Sequence, residues 1–492
     1  MHLSPAFAPL AAALALSGCA SFFDPAPAVP DEVRQAMAQA GLPMNTLGVV
    51  AYPLNAKGQV MRLNAEVPMQ PASTMKLLTG IVALDKLGTN ARSRTELLLD
   101  TAPAGDVVAG PLYLRGGADT DLDWGALWQL LRDLREQQGV REIRGGLVVD
   151  RTLFRPARTD IGAPPFDESP ESYYNVIPDA LALNGNLIAL TLKSDASGKP
   201  VQAAVSPAWP GLTVDASALA TSDVACKDWE QAWKTPLVLP LPPARAEAQT
   251  QHVVLQGAFP RDCRLNEEFT SLFDRQWITA QAVRQIWREL GGTIGGSAAT
   301  DREAATPAAA VVVATHLGRP LGEWMRGMMK RSDNGLTRLT YLRLGAAAAA
   351  PDEDTVPAAE RVVRDWFAAH QIDAQGLVLE NGSGLSRMER IKPAQLAALL
   401  QAAHDGPQGP ELLAMLPVAG VDGTLRRRMK GTAAEGRARM KTGTLRDTFT
   451  LAGYVQDAHG RLWIVVGMIN DRENGEKGKA ALDALAAWVA RQ

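Results

Sequence analysis

The sequence predicts an α+β protein in which a helix-rich unit is interrupted by β-rich material. Three observations carry that expectation. The chain is 492 residues long, too long for one ordinary compact domain. Helical patterns dominate both ends, whereas residues ~95–290 hold short apolar stretches (TELLLD, GPLYLRGG, GGLVVD, NLIALTL, HVVLQGAF) parted by Gly, Pro, Asp and Asn. The C-terminus reads strand, turn, strand, helix: TFTLAGYVQD, AHG, RLWIVVGMI, then KGKAALDALAAWVARQ.

The elements follow in order. Residues 3–16 (LSPAFAPLAAALAL) are an apolar run, Pro-interrupted and too short to span a bilayer, as in a signal h-region. Met1-His2 ahead of it carries no Lys or Arg. The run ends in Leu16-Ser17-Gly18-Cys19, which resembles a bacterial lipobox; residues 1–18 are then a signal peptide and Cys19 a lipidated N-terminus. Residues 20–30 (ASFFDPAPAVP) read as a tether. A helix is expected over 31–42, strands over 46–53 and 58–66 with a turn at Asn55–Gly58, and a helix starting close to Ser73 after Pro71. Within the β-rich stretch, helices are expected at 124–138 and about 277–291. After residue ~310 a strand (AAAVVVAT) and one long amphipathic helix (321–345) resume the helix-rich style.

Composition excludes several classes. Hydrophobic residues are 46% and charged residues 21%, which is globular. Fifty Lys+Arg against 53 Asp+Glu leave no basic excess for a phosphate backbone, so no nucleic-acid partner is expected. Six histidines form no HExxH pair, and three cysteines are too few for a zinc module or a disulfide scaffold. No metal or cofactor is implied. With Cys19 lipidated, Cys226 and Cys263 are the count one disulfide needs in an oxidising space; two separate buried thiols are the alternative.

Three short elements suggest chemistry: Ser73-Thr74-Met75-Lys76, Ser332-Asp333-Asn334 and Lys441-Thr442-Gly443. Singly each is weak; together, once each and in this order, they form the set found in penicillin-binding proteins and class A β-lactamases. Positions i and i+3 share a helix face, so Ser73 and Lys76 can meet. Serine needs a base, and Lys serves only if desolvation or a second cation, such as Lys441, lowers its pKa. Ser332 can relay a proton, and Asn334 can hold Lys76 and a substrate amide. Lys441, Thr442 and Gly443 with Thr444 can receive a carboxylate. Backbone N–H groups of Ser73 and Thr444 are the candidate oxyanion hole.

The chain resembles the D-alanyl-D-alanine carboxypeptidase/endopeptidases among the class C low-molecular-mass penicillin-binding proteins. The likeness runs over nearly the whole mature chain. It includes Leu114–Asp119, Val148–Asp150, Ala182–Asn186, Asn381–Arg387 and Leu416–Leu425. The resemblance implies a catalytic domain of antiparallel sheet flanked by helices (31–95 plus 290–492) and β-rich domains inserted at 96–289. It implies a Ser73 acyl-enzyme, cleavage of D-Ala-D-Xaa bonds in peptidoglycan stem peptides, and covalent binding of β-lactam antibiotics. A β-lactamase or esterase on the same fold is the alternative, with an inactive peptidoglycan-binding lipoprotein as a further one. Class A β-lactamases carry Glu-x-x-Leu-Asn for deacylation; the nearest match, Ala180–Asn184, has Ala in place of the Glu. The expected location is periplasmic and lipid-anchored. Ala20 in place of Asp points to the outer membrane of a diderm cell.

Overall fold

The structure is a computed structural model, described over residues 29–54, 61–195, 200–208, 212–240 and 251–492. The signal-like run, Cys19, most of the tether and the Asn55–Gly58 turn lie outside the described residues.

The C-terminal strand–turn–strand–helix pattern builds the central sheet. Its order is Ala438–Leu445, Thr448–Gln456, Leu462–Asn470, Leu47–Pro53, Met61–Leu63, with every neighbour antiparallel. Leu445 pairs with Thr448, so only Arg446 and Asp447 turn the first hairpin. Side chains alternate across a strand. Val50, Ala452, Tyr454, Ile464, Val466 and Met468 therefore enter one apolar cluster. Val49, Ala51, Leu451, Val455, Val465 and Ile469 enter another. Helices Asp31–Gln39 and Lys479–Ala490 cover this second face. A Cβ at Gly467 would lie 2.6 Å from Leu482 Cδ2, so glycine lets the last helix seat. Helix Pro393–Asp405 packs against the first face, and helices Met75–Leu87, Leu321–Arg331 and Thr355–Ala369 extend its apolar cluster.

The β-rich stretch forms its own core. A five-stranded sheet runs in the order Arg302–Glu303, Leu147–Asp150, Leu112–Gly117, Arg94–Leu99, Val311–Leu317. Helices Trp124–Glu136 and Arg275–Glu289 share its apolar cluster. Smaller sheets extend it: Leu265–Thr270 and Gln202–Ser206 flank Ile188–Lys193, and Gln251–Pro260 pairs with Leu212–Asp215, Ala220–Ser222 and Trp233–Pro240. Cys226 and Cys263 are disulfide-bonded there.

Two expectations change. Val311–Leu317 does not return to the helix-rich part; it pairs antiparallel with Arg94–Leu99, and Ala314 joins the same apolar cluster. The apolar run alone could not say which sheet would take it. The long helix over 321–345 is two helices, Leu321–Arg331 and Asn334–Ala348. Ser332 adopts φ +62°, which ends the first, and the Asp333 carboxylate accepts from Leu336 N–H at 2.9 Å, which caps the second.

Candidate active site

The three motifs converge where the Ser73 turn meets the edge strand. Ala72–Thr74 form a 3-10 turn that runs directly into helix Met75–Leu87. Pro71 O anchors the turn, accepting from Thr74 Oγ1 at 2.7 Å and from Thr450 Oγ1, on the second sheet strand, at 2.8 Å. Gly443 permits this contact: a Cβ there would lie 2.2 Å from Thr450 Oγ1 and 2.8 Å from Ser73 N. Gly384, at φ +81°, is equally constrained, since a Cβ would meet Ala72 O at 1.8 Å.

Lys76 is fully buried. Its Nζ donates to Ser73 Oγ at 2.9 Å, Asn334 Oδ1 at 2.6 Å and Ser383 O at 2.5 Å. Burial lowers its pKa to about 7, against the opposing pull of Glu389 and Asp333. Arg338 adds to the lowering, and so does Lys441, because the repulsion that lowers Lys441 acts equally on Lys76. Lys441 is itself fully buried and pushed well below its usual range, first by desolvation and then by Lys76. Two buried ammonium groups that repel each other favour a state in which one is neutral.

Lys441 Nζ donates to Ser332 Oγ at 2.8 Å and to Thr442 O at 2.7 Å. Asn334 spans the site: its Nδ2 donates to Tyr174 O at 2.9 Å, which fixes the amide with Oδ1 towards Lys76. Part of the capacity expected for a substrate amide is thus used inside the protein. Thr442 Oγ1 donates to Thr424 Oγ1 at 2.8 Å. Lys330 Nζ donates to Asp422 Oδ2 at 2.6 Å and Leu416 O at 2.8 Å, so the Leu416–Leu425 segment holds the helix that ends at Ser332.

A cleft of about 1050 Å³ opens over these groups. Ser73, Ser332, Asn334 and Thr444 border it. So do Phe166, Asp167, Tyr173, Tyr174 and Asn184 from the β-rich stretch, of which only Asn184 belongs to a segment singled out in the sequence. The paired tyrosines beside acids in Asp167–Tyr174 are the available signal. Asn184 Oδ1 accepts from Trp124 N–H at 3.2 Å. Ala180 is buried among Ala118, Phe154, Leu339 and Leu342, so the position matching the deacylating Glu offers only a methyl group to an apolar pocket.

Glu389 is the main residue the motifs did not announce. Fully buried, it accepts backbone N–H groups of Glu380, Asn381, Gly382 and Gly384 at 2.7–3.3 Å. It thereby shapes the loop whose Ser383 carbonyl holds Lys76. A buried acid two residues after a Ser-Arg pair has no distinctive spacing. Leu114–Asp119 and Val148–Asp150 serve the scaffold instead: Asp119 binds Thr95 and His316, and Asp150 binds Thr152 and Thr306.

An antiparallel sheet flanked by helices, with a serine, two buried lysines and a Lys-Thr-Gly edge strand, is the arrangement of penicillin-binding and serine β-lactamase-like proteins. The chain belongs to the D-Ala-D-Ala carboxypeptidase 3 (S13) family, whose model matches residues 29–492. It is 28% identical over 430 residues to the D-alanyl-D-alanine carboxypeptidase of Actinomadura sp. (strain R39), covering 85% of this chain and 76% of that one. It is 24% identical over 442 residues to D-alanyl-D-alanine carboxypeptidase DacB of Haemophilus influenzae, covering 88% and 87%. The crystal structure of penicillin binding protein 4 (dacB) from Haemophilus influenzae superposes with a TM-score of 0.76 at 22% identity, covering 94% of this chain and 99% of that one.

Proposed function

We propose that this serine DD-peptidase cleaves D-Ala-D-Xaa bonds of peptidoglycan stem peptides through a Ser73 acyl-enzyme. The observation that carries this reading is Lys76 Nζ, 2.9 Å from Ser73 Oγ and with its pKa lowered to about 7. A neutral Lys76 takes the hydroxyl proton as Ser73 attacks the scissile carbonyl. The N–H groups of Ser73 and Thr444 receive the developing oxyanion. Ser332, hydrogen-bonded to Lys441, passes a proton to the leaving amine. Lys441, Thr442 and Gly443 with Thr444 receive the terminal carboxylate. Water then releases the acyl group. β-Lactams acylate the same serine, consistent with the β-lactam complex solved for the Haemophilus influenzae protein. Ala180 argues against rapid release of that adduct. Release of D-Ala from a D-Ala-D-Ala peptide tests the reading: wild type should release it and Ser73→Ala should not.

In the same reading the catalytic unit comprises residues 31–93 and about 318–492, with the β-rich unit inserted between them. The pairing of Arg94–Leu99 with Val311–Leu317 supports moving the boundaries from 95 and 290. The enzyme is exported and held by lipid on Cys19, at the periplasmic face of the outer membrane in a diderm cell. Its cell-wall family supports export, and the lipobox supports the anchor. Among the described residues no helix is long and apolar enough to cross a membrane.

A further inference from the structure

The helix Asn334–Ala348 seats the inserted unit on the catalytic unit. Its Leu339 and Leu342 share an apolar cluster with Ala118, Phe154 and Ala180. Arg338 stands one turn after Asn334 on the same helix face. Its Nη1 donates to Asn175 O at 3.0 Å and to Val176 O at 3.1 Å. Asn334 Nδ2 donates to Tyr174 O at 2.9 Å. One helix face therefore grips three consecutive carbonyls of the inserted unit.

The gripped residues organise the cleft wall. Asn175 Nδ2 donates to Asp167 Oδ1 at 2.7 Å and to Ser169 O at 2.8 Å. Tyr174 Oη donates to Asp167 Oδ2 at 3.0 Å. Residues 167–175 are thus tied into one piece, and Asp167, Tyr173 and Tyr174 from it border the cleft over Ser73. On the other side, the Tyr174 carbonyl holds the Asn334 amide with Oδ1 on Lys76.

Arg338 is only 8% exposed and forms no ion pair among the described residues. Its Nε is buried with no hydrogen-bond partner. Burial lowers its pKa, against the pull of Glu389 and Glu380. A buried cation without a close counter-ion is unfavourable, and an apolar side chain would fill the same space without that penalty. Core packing does not account for a guanidinium here; its two carbonyl acceptors do. We infer that Arg338 is a positioning residue that clamps the inserted cleft wall to the helix of Asn334, so that wall and amide are set together against Ser73 and Lys76. The inference rests on the proposed acyl-enzyme for its kinetic consequence, whereas hydrogen exchange reads the clamp without it.

The charges acting on Lys76 are Glu389 behind the Ser383 loop, Asp333 at the helix cap, Arg338 on that helix and Lys441 on the edge strand. The two carboxylates raise its pKa and the two cations lower it. Losing the Arg338 charge should therefore move the rising limb of acylation to higher pH. The experiment joins hydrogen exchange of the full chain, read by mass spectrometry, to stopped-flow acylation by a chromogenic β-lactam. In Arg338→Gln the amides of residues 167–176 should exchange about fivefold or more faster, while the central sheet keeps its wild-type exchange. Acylation at neutral pH should slow about tenfold, with the limb at higher pH and thermal melting confirming the fold. If Arg338→Gln does not fold, Arg338→Lys replaces it. Its side chain is one atom shorter, so exchange over 167–176 and the acylation rate should change in the same directions. Wild-type exchange over 167–176 would overturn the clamp. Faster exchange with an unchanged acylation rate and limb would overturn its positioning of the site. A wild type that β-lactams fail to acylate defeats the acyl-enzyme reading instead; exchange in the variants still decides the clamp.

Discussion

At the residue scale, the base is the point on which the chemistry turns. Replacing Lys76 by Arg should abolish acylation, because a guanidinium keeps its proton. Lys441→Arg should retain part of the rate, since a cation remains for the substrate carboxylate. Equal acylation by both variants, followed by stopped-flow with a chromogenic β-lactam, would contradict the assignment. The lowered Lys76 pKa gives the sign of the pH dependence. The neutral form gains as pH rises through about 7, so the acylation rate should climb there and level off above. The Asp333 charge pulls that pKa upward. Asp333→Asn keeps a competent helix cap but removes the charge, so the rising limb should move to lower pH. An unmoved limb would mean that another group is titrating. Ser73, Lys76, Ser332, Asn334 and Lys441 were legible because their types and order are rare in combination. Glu389 was not, because its function is to receive backbone N–H groups of a loop, and any acid in that place would look the same in the sequence.

At the element scale, short connections hold the site more than long helices do. Gly384→Ala would place a methyl group 1.8 Å from Ala72 O at a positive φ. It should destabilise the fold by at least ~1 kcal/mol and slow acylation on the order of 10²-fold as Ser73 shifts. Thermal melting and the acylation rate check both, and a wild-type rate would show that the Asn381–Arg387 loop does not position the nucleophile. The strands and helices were largely readable from periodicity. The break at Ser332–Asp333 was visible as an interruption, but periodicity continued across it and suggested one helix. What divides the two is a single left-handed residue followed by a capping carboxylate, a local backbone event that apolar spacing does not record. Val311–Leu317 is legible as a strand in its run of Ala and Val, but its membership of the β-rich sheet is not, because strand pairing is decided by packing against Leu97 and Leu99 across a long sequence separation.

At the scale of the whole molecule, the β-rich unit supplies one wall of the cleft, through Phe166, Asp167, Tyr173 and Tyr174. No short motif announced that contribution. The disulfide lies within this unit and joins residues 37 positions apart. Closing such a loop contributes roughly 4 kcal/mol in the chain-entropy model. Reduction should therefore lower the melting temperature, and alkylation of the exported protein without reduction should label neither Cys226 nor Cys263. The anchor is tested by Cys19→Ser, which should move the enzyme from the membrane to the soluble fraction. Each buried CH₂ of an acyl chain contributes ~0.8 kcal/mol, so two or more chains hold firmly. A wild-type protein already soluble, with an unmodified N-terminus beyond Cys19, would remove the anchor and leave the catalytic account intact. That account meets its most direct test in the intact mass and peptide map of the chain after incubation with penicillin. One adduct should form on wild type, map to Ser73 and be absent from Ser73→Ala. No adduct on wild type, or an adduct on any other residue, would contradict it.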